Sequence, residues 1–244
     1  MKLRLVVAYD GTGFGGWQSQ PDRNTIQDHL EAAFLAIAGE SVTVHGAGRT
    51  DAGVHAVGQC AHAELASSAL DPASWAAALN AHLPAAIRVM STRSASPDFH
   101  ARFSATGKLY RYTLWNAPVM PPLWNNRAWH VFHPLNATHL EAALALFVGS
   151  HDFAAFCAKR SHQPEDTHRA IHDIRIRRKG PHIEIDFRGS GFLYKMVRML
   201  AAAAVRCATG RIDASELAKR LESGGPRWNH VAPACGLCLQ RVFY

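Results

Sequence analysis

Arg49-Thr50-Asp51-Ala52-Gly53-Val54-His55 presents a carboxylate inside the glycine-rich run 46–53. Glycines on both sides let a backbone approach a ligand closely, and a loop after a strand displays a side chain instead of packing it. The nearby Arg49 favours the ionised carboxylate, which is the form a nucleophile must take. The chemistry open to such a group is attack on an electrophilic carbon. The same pattern also fits an aspartate that only shapes a turn, and the loop by itself leaves both readings open.

Other constellations lead nowhere as clear. The run from Gly46 departs from a dinucleotide fingerprint, because Asp51 holds the third glycine position and no good helix follows. Cys235-Gly-Leu-Cys238 is a single CxxC without a second pair, which reads as small residues near a terminal strand. His168 and His172 have the spacing of a helical metal pair. The glutamate of a zinc-protease helix is missing, however, and Ile174 and Ile176 continue as strand alternation. No metal, redox cofactor or nucleotide is expected.

The elements that must position Asp51 follow from hydrophobic periodicity. Leu3, Leu5, Val7 and Tyr9 share one side of a first strand, and Gly11, Gly13, Gly15 and Gly16 make the turn after it. A helix is predicted next. Asn24 is its cap, Gln27 sits at the capping-box position, and Ile26, Leu30, Phe34 and Ile37 form its stripe up to Gly39. Residues 42–45 and 59–65 read as strands, and Asp71-Pro72 opens a helix through Trp75 and Leu79. Tyr110–Leu114 reads as a strand; Leu140, Ala143, Leu144 and Phe147 stripe a helix. Residues 175–178 and 182–188 form a hairpin whose Ile183, Ile185 and Phe187 face in while Glu184, Asp186 and Arg188 face out. A long helix is expected from Phe192 to Cys207. Mixed elements without strict βαβ alternation favour α+β, with two similarly built halves, 1–104 and 105–244, around a mainly antiparallel sheet flanked by helices.

Composition bounds the rest. The chain has 244 residues, 48% of them hydrophobic and 18% charged, as in a soluble globular protein with a real core. There is no stretch of about 18 uncharged apolar residues, so no membrane span is expected. Arg4 interrupts the first apolar run, which argues against a signal peptide. Five scattered cysteines read as free thiols in a reducing cytoplasm. Residues 1–104 carry 7 Lys and Arg against 9 Asp and Glu, and residues 105–244 carry 19 against 10. A basic half beside a near-neutral one suits a polyanion such as nucleic acid, and equally an ordinary solvated surface.

Six segments carry a resemblance. Ala47-Gly-Arg-Thr-Asp-Ala-Gly-Val-His55 resembles the signature of the tRNA pseudouridine synthase A (TruA) family. Tyr9–Gln18, Asp98–Thr106 with Tyr110-Arg-Tyr112, Gly149–Phe153, Phe192–Arg198 and Ala232–Leu237 resemble its other segments, in the same order. Leu200-Ala-Ala-Ala-Ala-Val205 departs from the family, which usually places a glycine soon after the arginine; the departure bears on helix packing.

The resemblance implies the pseudouridine synthase fold. It also implies isomerisation of uridine to pseudouridine at positions 38, 39 and 40 of the tRNA anticodon stem-loop, by a homodimer. On that basis Asp51 is the nucleophile, Arg198 the arginine paired with it, and Tyr110 the aromatic face on which the base lies. Arg49 is assigned to a phosphate or to holding the flipped-out site open. Lys159, Arg160, Arg175, Arg177, Arg178 and Lys179 are candidates for backbone contacts. Two rivals remain. A non-catalytic tRNA-binding or folding module would need basic surface but no aimed carboxylate. Zinc-dependent base deamination would need His-x-Glu and paired cysteines that are not there.

Overall fold

A computed structural model describes residues 1–66, 70–158, 166–222 and 227–244; Lys159 and Arg160 lie outside these. In chain order the elements are β1 (Lys2–Tyr9), α1 (Ile26–Ala38), β2 (Val44–Gly46), β3 (His55–Glu64), α2 (Trp75–His82), β4 (Ile87–Ser94), β5 (Gly107–Trp115) and β6 (Trp129–His130). There follow α3 (Ala137–Ala145), β7 (Gly149–Asp152), β8 (His168–Lys179), β9 (His182–Gly189), α4 (Met196–Ala208), α5 (Ala214–Glu222) and β10 (Leu237–Phe243). The chain is α+β and mainly antiparallel, and it divides into two units: Met1–Thr106 with Cys238–Tyr244, and Gly107–Leu237.

In the first unit the strand order is β4-β1-β3-β10. β3 pairs antiparallel with β1 along one edge; its other edge is shared by β2 and, in parallel, by β10. Leu3, Leu5, Val7 and Tyr9 alternate inward as the sequence predicts, and Ile26, Leu30 and Phe34 of α1 are buried. Phe34 stacks 5.2 Å from Trp75 of α2. The cap of α1 is shifted by one residue: Thr25, not Asn24, caps it, and Asp28 closes the box in place of Gln27. Asn24 instead donates to the Gly13 carbonyl, and Gln27 is drawn sideways to Gln18 and Glu31.

A histidine group fixes the far end of β3. His62 is buried; its Nδ1 accepts the Ala101 N–H at 3.1 Å, and its ring stacks on His45 and meets His100 edge-on at 4.6 Å. Burial, then the charges of His100 and His45, push its pKa from 6.5 down to about 4. His100 is lowered for the same first reason. The folded chain therefore refuses a proton that the unfolded chain accepts, so stability falls as pH drops from 6.5 toward 4. The carboxylates held low by partners, Asp28, Asp152 and Asp186, lose their contribution only below the ordinary carboxylate range. We expect Tm to decline across the histidine window, and to decline less in His62→Gln, as read by thermal melts at a series of pH values. Identical pH profiles would remove the assignment.

In the second unit the order is β5-β9-β8-β7, with β6 pairing β5. Tyr110, Tyr112 and Leu114 of β5 and Ile183, Ile185 and Phe187 of β9 line the inner face. Helix α4 starts at Met196 and not at Phe192, because Lys195 takes a left-handed conformation (φ 59°) and the Leu193 N–H turns back to the Met196 sulfur. Ala201–Ala204 are all buried, so alanine side chains pack closely along this helix; of the whole helix only Arg198 and Arg206 are partly exposed. The outer face departs from expectation at Asp186, which is buried. Arg111 grips both its oxygens at 2.8 and 3.1 Å and also reaches Glu184, while Arg177 bridges Asp186 and Glu184. Burial alone would raise the Asp186 carboxyl, but Arg111 and then Arg177 hold it low.

Among the described residues no helix is long and apolar enough to cross a membrane. The five cysteines are free.

Candidate active site

Asp51 lies on the loop between β2 and β3, half-buried, and its carbonyl accepts the Val54 N–H at 3.1 Å. The loop is held from beneath by the segment after β1. The Trp17 N–H donates to the Thr50 carbonyl at 3.0 Å, and the Tyr9 hydroxyl meets Thr50 Oγ1 at 2.8 Å in a buried contact. Gly16, at φ +96°, lies so close that a Cβ there would stand 2.6 Å from the Thr50 carbonyl oxygen. Behind the loop, Gln59 is fully buried and donates to the Gly48 carbonyl at 2.8 Å. This side of the loop is fastened, and Asp51 stands at its partly open side.

His55 follows at the start of β3, also buried. Its Nδ1 lies 3.0 Å from the Gly11 N–H and 3.1 Å from Asp10 Oδ1. Arg49 is exposed, and its Nε donates to Gln18 Oε1 at 3.1 Å. Gln18 in turn donates to Gln27, and Gln27 to Glu31. The arginine is thus aimed by a chain of amides rooted on α1 while its charge remains at the surface.

Tyr110 and Arg198 belong to the second unit. Tyr110 sits on β5 opposite Phe187, nearly buried, with its ring edge-on to Phe192 at 5.3 Å. Arg198, in the first turn of α4, donates through Nε to the Ala232 carbonyl at 2.8 Å, and the Ala232 N–H returns a bond to the Arg198 carbonyl. Tyr112, fully buried, donates to the Pro233 carbonyl at 2.7 Å. Burial and Cys235 raise its pKa well above the ordinary phenol value while the charge of Arg198 opposes the rise. The segment around Ala232–Cys235 therefore locks α4 to β5. Asp51 and Arg49 share one loop of the first unit, and Tyr110 and Arg198 stand on β5 and α4 of the second. Tyr9, Trp17 and Ala232 fall in segments that carry the resemblance, but the sequence marks no supporting role for them or for Gln59.

His168 and His172 both lie in β8, and Cys235 Sγ contacts the Ala128 carbonyl. Among the described residues no group of three or more His, Cys, Asp or Glu is arranged to hold a metal ion.

An α+β chain whose antiparallel sheets support a braced aspartate loop is the class these observations define. Comparison with known proteins narrows it. The family described as tRNA pseudouridine synthase matches residues 5–104 and 143–244. The tRNA pseudouridine synthase A of Akkermansia muciniphila is 44% identical, over 100% of this chain and 95% of that one. The Solidesulfovibrio magneticus protein of the same name is 44% identical, over 100% and 91%. Among solved structures, a Cbf5–Nop10–Gar1 complex matches at 11% identity and a TM-score of 0.40, over 97% of this chain and 48% of that one, too loosely to weigh. The chain belongs to the tRNA pseudouridine synthase family, and it is an isomerase.

Proposed function

We propose that this chain converts uridine to pseudouridine in the anticodon stem-loop of tRNA, at positions 38, 39 and 40, with Asp51 as nucleophile. The observation that carries the reading is the braced loop: a half-exposed carboxylate on a backbone fastened at Thr50 suits an aimed reactive group. The reaction breaks C1′–N1, turns the base and joins C1′ to C5. The C5 proton leaves and N1 gains one, so no oxidant, reductant or nucleotide is consumed. Tyr110 offers its ring to the extruded base, and its hydroxyl is suited to moving the C5 proton. Arg198 is the arginine that the sequence resemblance pairs with Asp51, to keep it ionised. Arg49 takes a phosphate beside the flipped nucleotide. The working form in this reading is a cytoplasmic homodimer. A binding or folding module is the rival, and tritium release from C5-labelled uridine in unmodified tRNA separates the two. Release at the enzyme's turnover supports the synthase; none from folded protein supports the module.

Arg198→Lys keeps the charge and loses the planar fork, along with the Nε bond to Ala232. We expect the rate to fall at least about tenfold, equivalent to about 1.4 kcal/mol of barrier. Full activity in that variant would leave Arg198 a purely structural part.

The basic hairpin offers a further test. Arg177 is engaged with Glu184 and Asp186 and Arg175 with Asp173, so reversing Arg177 would set three carboxylates together and unsettle the sheet. Arg178 and Lys179, exposed at the turn, are better placed to meet phosphates. RNA binding falls with salt at a log–log slope of about −0.7 per phosphate neutralised on a single strand. Arg178→Glu with Lys179→Glu should flatten the slope by about 1.4 while turnover at saturating tRNA holds. Arg93→Glu, on β4, should change little. Filter binding across a salt series decides it, and equal slopes for all three proteins would make the hairpin tip mere solvated surface.

A further inference from the structure

We propose that Tyr9 is a positioning residue for the reaction, acting on Asp51 through Thr50; this rests on the reading of Asp51 as nucleophile. Tyr9 closes β1, and its backbone is fixed between two strands, opposite Ile87 of β4 and Ala56 of β3. Its ring is buried beside Trp17, with centroids 6.2 Å apart. The hydroxyl is therefore set in space by the sheet, and it meets Thr50 Oγ1 at 2.8 Å.

Thr50 is itself buried, and its carbonyl is taken by the Trp17 N–H at 3.0 Å. Side chain and carbonyl of one residue are thus both held. The peptide joining Thr50 to Asp51 has little freedom to turn, and the direction of the carboxylate is set one residue upstream of it. Phenylalanine would fill the same space at position 9, so packing does not demand the hydroxyl. A pair of buried hydroxyls that bond each other is a device for registering one element on another. It ties the loop to the most rigid part available, a strand with partners on both edges.

Displacement of a reacting group by about 1 Å can cost about 10²-fold in rate, so loss of the tie should be read in the chemical step. The test uses Tyr9→Phe, Thr50→Val, Thr50→Ser, the Tyr9→Phe/Thr50→Val pair and Asp51→Asn. Single-turnover rate, tRNA affinity and Tm are measured for each. Tyr9→Phe and Thr50→Val should each slow the chemical step about tenfold with affinity within about twofold of wild type. Thr50→Ser, which restores an Oγ, should recover most of what Thr50→Val loses. The double variant should be no slower than the slower single, because both changes delete one and the same bond. It also leaves no buried hydroxyl unpaired, so its Tm should move back toward wild type. A rate that stays low while Tm recovers marks positioning. A rate that recovers with Tm, or wild-type speed in Tyr9→Phe, overturns the proposal. Activity retained in Asp51→Asn would overturn the underlying reading instead, which keeps the two failures distinct.

Discussion

Asp51→Asn is expected to bind tRNA as wild type does and to turn over nothing measurable. The amide matches the carboxylate in size, and the backbone before it stays braced at Thr50 by Tyr9 and Trp17. In the proposed reading what disappears is the nucleophile, and in covalent enzymes such a loss costs about 10⁶-fold. The measurement is tritium release under single turnover, beside filter binding of the same protein. Turnover within tenfold of wild type would show that Asp51 only shapes the loop, the reading that its glycine-rich surroundings equally allow.

The second large effect concerns a residue with no chemistry of its own. Gly16→Ala should lower the rate about 10²-fold. Its Cβ would stand 2.6 Å from the Thr50 oxygen and 3.0 Å from both the Asp51 carbonyl carbon and the Ala52 nitrogen. These are backbone atoms of the Asp51 loop, not side-chain tips that swing away. A shift of the loop by about 1 Å carries a penalty of that order. The strain of φ +96° adds a stability cost of about 1–3 kcal/mol. Gly13→Ala is the matched control: it shares the positive φ (+83°), but nothing lies within 4 Å of the added carbon. Gly13→Ala should lose stability and keep its rate. Equal rates in the two variants would mean that the loop tolerates displacement, and the positioning argument would fail with it.

Local periodicity made much of this fold legible. Leu3, Leu5, Val7 and Tyr9 alternate inward, and Ile183, Ile185 and Phe187 do the same, because each pattern is complete within one strand. Legibility stops where a partner is distant in sequence. Asp186 reads as outward-facing, but it is buried and held by Arg111, 75 residues earlier, and by Arg177 on β8. Asn24 and Thr25 are both sound helix caps in isolation. Thr25 has the place because Asp28 closes the box on it, while the Asn24 side chain is spent on the Gly13 carbonyl. The start of α4 differs for a local reason: Phe192 to Tyr194 fit a helical stripe, but one left-handed residue at Lys195 holds them out of it. At the candidate site the sequence displays the groups that would react. The Tyr9–Thr50 tie is invisible in it, since 41 residues separate two hydroxyls with no pattern in common.

The parallel pairing of β10 with β3 bears on how the enzyme is made. Cys238 and Leu239 lie beside His55 and Ala56, directly after the Asp51 loop. On the ribosome, β3 emerges about 170 residues before the strand that completes its edge. At about 5–20 residues per second, that edge waits roughly 10–35 s for its neighbour. Through this interval the nascent chain carries an open strand beside Asp51, and the second unit has time to fold as the intervening segment. A nascent chain that stalls before residue 237 lacks the strand that flanks the Asp51 loop, so the candidate site is completed only when the C-terminal strand has been made.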